Sequence, residues 1–377
     1  MAVLANFVGG SNRVRSKNVN DEQTINFYPE IPPGSAKVPG WLVPTPGLEP
    51  FVVLDNAPIR ALFSQDGRTF AVSGTSFYEI FANRTVALRG STTLDGRPAT
   101  ISSNGTNGSQ LFVTSGGVGY IYDLTTNVIA PIADPDFPSP VEMGWFSDGY
   151  FGALKRGTNQ FQTSALFDGT DWDALDVYQI STTSDLVVAQ VPLRREIYTF
   201  GSLYTSVWQN VGASTIYQPI AGVSIEQGAG APYAAVPLDN TIYFLSQNTN
   251  GTRMIFRFNG YTPERVSNHA VEFALNQCPR VSDAIAWTYQ DEGHTFYVLY
   301  LPAPPVAGSG VDHTTWCYDV ATGQWHERAH WSPVSMAWFP HVGRCHCAAW
   351  GLHLVGARNS GAIYRMSLDL ATETLVI

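Results

Sequence analysis

Residues 315–331, TWCYDVATGQWHERAHW, contain a strand, a turn and the start of a second strand. The segment Trp316–Asp319 alternates aromatic side chains with smaller ones and ends in an acidic residue. The following Val320–Gln324 supplies the small residues and the glycine that a tight reversal needs. Because Trp325 then resumes the strand pattern, the stretch predicts a β-hairpin.

A strand of this kind recurs seven times, ending in aromatic-x-aromatic-Asp/Asn or a close variant. The copies are Tyr78–Phe81, Tyr120–Asp123, Ala165–Asp168, Ser206–Gln209, Phe256–Asn259, Trp316–Asp319 and Tyr364–Ser367. Another alternating strand precedes them, for example at Arg68–Ser73, Gln110–Thr114, Glu196–Phe200, Thr241–Leu245 and Thr295–Leu299. The intervals of 41 to 60 residues between copies resemble the length of one propeller blade, about 40 to 50 residues.

Period-2 alternation gives each unit an apolar face that only a neighbouring sheet can cover. The sequence therefore predicts an all-β fold, a β-propeller of about seven blades. Six or eight blades remain alternatives, because the pattern does not show how the N-terminal segment closes the ring. The proline-rich Pro302–Gly310 is predicted to be an insertion loop within one unit, and Asn268–Leu275 is the one convincing helical stretch.

The first 58 residues have a different character. The runs Tyr28–Gly40 and Val43–Pro50 contain too much proline for a sheet interior or a helix. The predicted organisation is therefore an extended, proline-rich N-terminal arm at residues 1–58, followed by the propeller at residues 59–377.

Composition argues against several classes of function. Hydrophobic residues make up 44% and charged residues 14% of the chain, which indicates a folded protein. The formal net charge is −10, only three of the 21 basic residues are lysines, and no cationic track for phosphates is visible, so sequence-specific nucleic-acid binding is not expected. Four clustered cysteines, with neither an export signal nor an apolar run of about 18 residues, predict a soluble protein made in a cytoplasm, without membrane insertion.

The motif His326-Glu327-x-x-His330 matches the zinc signature of metalloproteases. Two histidines four residues apart bind one zinc ion on a helix, where they are neighbours. On a strand the same spacing separates them by about 13 Å, whereas each zinc–nitrogen bond is only about 2 Å long. The strand pattern indicates a coincidence, as do Pro333 and Met336, which stand where the extended signature needs Gly and His.

Two further groups of potential ligands are better explained without a metal. One group consists of His341, Cys345, His346, Cys347 and His353. Its C-x-C spacing turns both thiols to one face of a strand, where cysteine packs as a small apolar residue. The acidic segment Asp168–Asp176 lacks the EF-hand order of ligands, so turn capping is the expected role of its aspartates. No catalytic, cofactor-binding or metal-binding residue is predicted, no cofactor is expected, and the protein is not expected to be an enzyme.

Several stretches, in one order and spread over nearly the whole chain, resemble the packaged DNA stabilization proteins of tailed phages, the tail nozzle or hub proteins of short-tailed phages. They are Asn26–Glu30, Pro44–Leu48, Ser164–Asp176, Ser184–Val188, Phe200–Gly212, Pro263–Glu272, Gly293–Leu299 and Thr315–Arg328. Because Trp325–Arg328 resembles a blade strand of this family, His330 follows His326 at the zinc spacing by accident.

The resemblance implies a structural virion protein of the phage tail, a β-propeller subunit of a homo-hexameric ring. The ring would lie below the portal and the head-to-tail adaptor, near tail needle, fibre or spike proteins. It would complete the DNA channel, help to retain packaged DNA and permit genome ejection. Double-stranded DNA is expected to pass without specific binding, because an acidic, lysine-poor protein offers phosphates few contacts. Members of the resembled family carry a further β-rich domain after the propeller, whereas this sequence stops at Glu373–Ile377. Either the sequence is trimmed or this member lacks that domain.

Within this interpretation, Phe27–Phe51 is expected to meet a neighbouring protomer or the adaptor. Deletion of residues 1–50 is expected to block assembly and to leave the propeller folded. The alternative is a tail-associated propeller that binds or hydrolyses host-surface glycans, because the abundant Trp and Tyr side chains would suit sugar stacking. A third interpretation is an extracellular propeller scaffold, for which the four N-x-S/T sequons would be glycosylation sites.

Overall fold

The computed structural model describes residues 8–13, 21–32, 40–106, 108–180, 185–213, 215–303, 305 and 315–375. Seven four-stranded antiparallel sheets surround a central channel, and the inner strands of consecutive sheets contact each other around a closed ring. The prediction of a β-propeller of about seven blades is confirmed.

Five strands come first in the chain: β1 (Asn12–Arg13), β2 (Asp21–Glu22), β3 (Phe27–Glu30), β4 (Trp41–Pro44) and β5 (Gly47–Val53). Two antiparallel pairs, β1 with β2 and β3 with β4, lie outside the blades, whereas β5 belongs to the last blade.

The first five blades follow in sequence order. Blade 1 consists of β6 (Ile59–Gln65), β7 (Arg68–Ser73), β8 (Ser76–Ile80) and β9 (Val86–Ser91), and blade 2 of β10 (Thr100–Ser103), β11 (Gln110–Ser115), β12 (Val118–Asp123) and β13 (Val128–Pro131). Blade 3 consists of β14 (Val141–Ser147), β15 (Tyr150–Lys155), β16 (Gln160–Ala165) and β17 (Asp168–Gln179). Blade 4 consists of β18 (Val187–Leu193), β19 (Glu196–Gly201), β20 (Thr205–Asn210) and β21 (Tyr217–Ile225), and blade 5 of β22 (Val236–Leu238), β23 (Thr241–Gln247), β24 (Arg253–Asn259) and β25 (Thr262–Arg265).

The last two blades are separated by a hairpin. Helix α1 (His269–Gln277) precedes blade 6, which consists of β26 (Ile285–Asp291), β27 (His294–Tyr300), β28 (Thr315–Asp319) and β29 (Gln324–Glu327). The hairpin of β30 (Ala329–Ser332) and β31 (Ala337–Pro340) leads to blade 7, which consists of β32 (Gly343–Ala349), β33 (Leu352–Ala357), β34 (Ala362–Ser367) and β5.

Six of the seven predicted repeat strands overlap the third strand of a blade, counted from the channel. The prediction for Ala165–Asp168 is wrong, because these residues form the reversal between β16 and β17. Phe167 has a positive φ of 58° there and its side chain is exposed, so its aromatic character marks a turn tip rather than a strand.

The predicted helix is found at the expected place. Helix α1 begins after Asn268, whose side chain accepts a hydrogen bond from the backbone N–H of Val271 at 2.9 Å. The predicted insertion loop Pro302–Gly310 falls between β27 and β28 in sequence, and its residues 304 and 306–310 lie outside the described part of the chain.

The middle strands of the blades are buried on both faces because each blade packs between two neighbours. In β23, for example, the five residues Ile242–Ser246 are all buried, although their side chains point to opposite faces in turn. Outer strands such as β9 and β13 are largely exposed. The alternation expected for a sheet covered on one face therefore gives way to continuous apolar runs in the blade centres.

Part of the predicted arm belongs to the propeller. Strand β5 pairs antiparallel with β34, from Gly47 opposite Ser367 to Val53 opposite Ala362, so a segment from the N-terminal side completes the sheet that the last strands of the chain begin. The boundary predicted at residue 58 assigns β5 to the arm and the other three strands of blade 7 to the propeller. Pro50 is compatible with β5 because the strand lies at the outer edge of the sheet, where a missing backbone N–H is tolerated.

The hairpin of β3 and β4 lies against blade 6 of the same chain. The Asn26 backbone N–H donates to the Glu327 carbonyl at 2.8 Å, and Tyr28 is buried beside Phe296.

Within the described ranges, no helix is long and apolar enough to cross a membrane.

Candidate functional site

The channel is lined by the inner strands of all seven blades. A cavity of about 680 Å³ occupies its interior, and residues of β6, β10, β14, β18, β22, β26 and β32 contribute to the wall. The wall is mostly apolar, with Leu62, Phe63, Met143 and Trp145 among its residues. Cavities of about 300 to 1,000 Å³ are typical of small-molecule sites.

A second cavity, of about 950 Å³, forms one mouth of the channel. Two loops lean over this mouth, Asp95–Pro98 between blades 1 and 2 and Ala229–Tyr233 between blades 4 and 5. The Tyr233 hydroxyl donates to the Glu142 carbonyl of blade 3 at 2.9 Å, and burial raises the pKa of Tyr233. The two cavities share Pro98, Pro232, Tyr233, Ile285 and Arg344, so these residues separate the mouth from the interior.

Ion pairs connect blade 1, the loop between blades 1 and 2, and blade 3 around the mouth. The carboxylate of Glu142, on β14, accepts from Arg97 Nη1 at 2.6 Å and from Arg156 Nε at 2.6 Å. Arg156 also donates to Asp95 at 2.9 Å, and the buried Arg60 of β6 reaches the same Asp95 at 3.1 Å. Because Glu142 is nearly buried, these contacts are screened less by water than surface pairs are.

Arg60 anchors the loop between blades 1 and 2. Its guanidinium donates to the carbonyl oxygens of Gly74, Thr93 and Arg97 and to the Ser115 hydroxyl, at 2.7 to 3.1 Å. Burial lowers the pKa of Arg60, and the Asp95 carboxylate opposes this effect. The side chain therefore ties the loop to the inner strand of blade 1.

A second candidate site is an apolar surface at the edge of blade 6, which we call the hairpin surface. It consists of exposed residues of the β3–β4 and β30–β31 hairpins: Phe27, Trp41, Leu42, Trp331, Val334, Met336 and Phe339. The Asn26 side chain joins the two hairpins, donating to the Ala329 carbonyl at 2.7 Å and accepting from the Ala329 N–H at 2.9 Å. Exposed apolar side chains grouped on two joined hairpins are typical of interaction surfaces.

The two histidines of the zinc-like motif lie on strands, as predicted. His326 is on β29 and fully buried, whereas His330 is on β30 and partly exposed. Neither ring nitrogen of His326 has a hydrogen-bond partner among the described residues. Burial lowers the pKa of His326 to about 3, with further contributions from Arg328 and His294.

In the other two groups of potential ligands, the side chains contact one another or cap a turn. His346 and His353 contact each other at 3.0 Å between ring nitrogens, and burial raises the pKa values of Cys345 and Cys347 to about 12. The side chain of Asp168 accepts from the Thr170 N–H at 2.9 Å, a turn cap of the expected kind. No group of three or more His, Cys, Asp or Glu side chains suited to a metal occurs among the described residues.

Sequence reasoning did not identify the arginines of the mouth. Arg97, Arg156 and Arg344, which line the mouth, and Arg60, which anchors one of its loops, are separated by long intervals and meet only because the propeller brings their blades together. The available signal was composition, since nearly all basic residues are arginines, the side chain suited to paired and partly buried sites.

These features define a seven-bladed β-propeller with an ion-paired channel mouth and an apolar surface at its rim. The chain belongs to the family described as "Bacteriophage P22 Gp10, beta-propeller", whose model matches residues 6–371. The resemblance to packaged DNA stabilization proteins is thus confirmed, and membership supports a structural role in a phage virion. No curated protein sequence matches the chain.

Solved structures resemble the chain in fold. Virginiamycin B lyase from Staphylococcus aureus superposes with a TM-score of 0.52 at 8% identity, over 83% of this chain and 97% of that one. A chain of the mitotic checkpoint complex gives a TM-score of 0.54 at 14% identity, over 89% and 96%. An extracellular domain of a two component system from B. thetaiotaomicron gives 0.54 at 8% identity, over 85% of this chain but only 40% of that one. At these identities the likeness extends to the propeller fold alone.

Proposed function

We propose that the chain is a non-enzymatic subunit of a homo-hexameric ring in the tail of a short-tailed phage, below the portal and the head-to-tail adaptor. The ring would complete the DNA channel, help to retain packaged DNA and permit ejection. The family match over residues 6–371 is the observation that carries this proposal. The protein would be made in the host cytoplasm and would lie near tail needle, fibre or spike proteins.

The hairpin surface is the proposed contact with a second copy of the chain. Val334 and Met336, at the tip of the β30–β31 hairpin, are 92% and 72% exposed. Burying such side chains contributes about 1.5 to 3 kcal/mol each, relative to leaving them in water. The β3–β4 hairpin lies within Phe27–Phe51, the segment proposed to meet a neighbouring protomer or the adaptor, and its exposed Trp41 belongs to the same hairpin surface.

DNA would pass through the channel enclosed by several subunits, not through the centre of one propeller. The propeller's own cavities, of about 680 and 950 Å³, have the size of small-molecule sites, and Tyr233 and Arg344 lie between them. A chain with a net charge of −10 offers a passing duplex little phosphate neutralisation. Retention would then depend on a mechanical barrier.

The glycan-binding alternative receives little support. Trp145, Trp172, Trp208, Trp287, Trp316 and Trp325 are all buried. These six of the ten tryptophans leave little ring surface for stacking on sugars, and of the six only Trp145 and Trp287 contribute to the wall of the interior cavity.

Assembly can be tested with charge substitutions on the hairpin surface. The double variant Val334→Asp and Met336→Asp should fold normally and should fail to form rings, alone or with the purified portal–adaptor complex, in sedimentation and electron microscopy. The matched control is Leu175→Asp, which changes an exposed leucine on β17, across the ring from blade 6. Rings from the double variant would contradict the proposed contact, and wild-type protein that stays monomeric with the portal–adaptor complex would contradict the proposed function.

A further inference from the structure

The mouth of the channel is positively charged in an otherwise acidic protein. Five arginines and three acidic residues line the mouth cavity, an excess of two positive charges. The whole chain has a net charge of −10. Clefts lined by one sign of charge concentrate ligands of the opposite sign.

All three acidic residues of the mouth already have arginine partners. Glu142 is bound by Arg97 and Arg156, and Asp95 is bound by Arg156 and Arg60. The third, Asp283, pairs with Arg280 at 2.6 Å and a spacing of three residues. The acidic residues of the mouth therefore leave two of its arginines, Arg344 and Arg358, without a carboxylate partner among the described residues.

Arg344 and Arg358 are held in place by neutral groups. Arg344, on β32, is only 9% exposed and donates from Nη2 to the Gly96 carbonyl at 2.9 Å. Its Nε is buried and has no hydrogen-bond partner in the described structure. Arg358 donates to the carbonyls of His341 and Pro340 at 3.2 and 3.3 Å and lies over the Tyr300 ring at 5.4 Å.

A buried guanidinium that is bonded only to carbonyls retains its full charge, and an unpaired charge of this kind is costly to bury. An oxyanion would relieve that cost, because the arginine fork matches carboxylate and phosphate oxygens in pairs. The cavity of about 950 Å³ has room for a ligand of small-molecule size.

We propose that the mouth of the propeller channel binds a small oxyanion with at least two negative charges, held by Arg344 and Arg358. The shared chemistry is a carboxylate or phosphate group, which either a free anion or an acidic segment of a protein partner can supply. This site is independent of the hairpin surface and of ring formation.

Isothermal titration calorimetry on the full chain at low ionic strength tests the proposal, with citrate, inorganic phosphate and an end-blocked tetraglutamate peptide as probes. We expect saturable binding of at least one probe. Arg344→Gln and Arg358→Gln should each weaken it about tenfold or more, because a hydrogen bond to a charged group typically contributes that much. Arg195→Gln is the matched control, because Arg195 is largely exposed and pairs with Asp148 outside this cavity.

The outcomes separate clearly. Tighter binding of citrate or phosphate than of the peptide identifies a free anion, and the reverse order identifies an acidic protein segment. If Arg344→Gln does not fold, Arg358→Gln alone decides, since its half-buried side chain can be shortened with less disturbance. Absence of binding by all three probes, or binding that is unchanged in the folded arginine variants, overturns the proposal.

Discussion

We expect His326→Leu to stabilise the protein at pH 7. We also expect the variant to lose less stability in acid than the wild type does. The two buried ring nitrogens of His326 have no hydrogen-bond partner among the described residues. An unsatisfied buried polar group costs about 1 to 3 kcal/mol, so leucine, of similar volume, should raise the free energy of unfolding at pH 7 by about 1 kcal/mol or more.

The acid effect follows from the depressed pKa. Burial lowers the pKa of folded His326 to about 3, whereas an unfolded histidine titrates near 6.5. Titration of His326 therefore costs no stability above pH 6.5, where the ring is neutral in both states. As the pH falls from 6.5 towards 3, protonation of the unfolded state lowers the free energy of unfolding. At about 1.36 kcal/mol per pH unit, the interval from 6.5 to 5 corresponds to about 2 kcal/mol. This figure depends mainly on the unfolded pKa, because pH 5 lies well above the folded value.

Urea unfolding at pH 7, 6 and 5 measures the effect. Between pH 7 and 5, wild type should lose about 2 kcal/mol more than His326→Leu, since the other buried histidines are common to both proteins. His269→Leu, which replaces an exposed residue of α1, should behave as wild type. Equal losses in wild type and His326→Leu would refute the assignment of a neutral, buried His326.

Two further expectations concern the stability of the propeller, and a third concerns DNA binding. Arg60→Leu should lower the free energy of unfolding by about 3 kcal/mol or more in urea titrations. The substitution leaves buried carbonyls without donors and Asp95 with one partner fewer. An unchanged midpoint would show that the loop does not need this anchor. Deletion of residues 1–53 removes β5 and should abolish the cooperative thermal transition. Deletion of residues 1–44 spares β5 and should retain a cooperative transition. A cooperative transition in the longer deletion would show that blade 7 closes without β5. Filter binding at about 0.15 M salt should detect no complex with duplex DNA, and a micromolar complex would contradict a non-adhering channel wall.

Local pattern was sufficient to predict the blades. Strands such as β12 and β28 carry their aromatic residues at positions set by period-2 alternation, and a turn with a positive-φ residue follows each, at Asn127 and Gly323. The strand predicted at Ala165–Asp168 was wrong because, in sequence, an aromatic residue at a turn tip cannot be distinguished from one in a strand.

Ring closure could not be predicted from the same signal. Strand β5 contains Pro50 and lies more than 300 residues before β34 in sequence, and local propensity carries no information about a pairing of that range. The deletion of residues 1–50, expected from sequence to spare the propeller, would remove most of β5. The shorter deletion through residue 44 is therefore the informative test of the arm.

The mouth of the channel was hidden for a related reason. Glu142 and Arg97 are 45 positions apart, and Arg344 reaches Gly96 across 248 positions, so no window of sequence shows them together. The mouth where they meet has a net positive charge, although the chain as a whole is acidic. The proposals on DNA and on the anion therefore concern regions of opposite charge. A net charge of −10 disfavours a long phosphate backbone outside the propeller, whereas an enclosed mouth with two arginines lacking carboxylate partners favours a compact anion that can enter it. The DNA and anion experiments therefore test different surfaces, and either can fail without affecting the other.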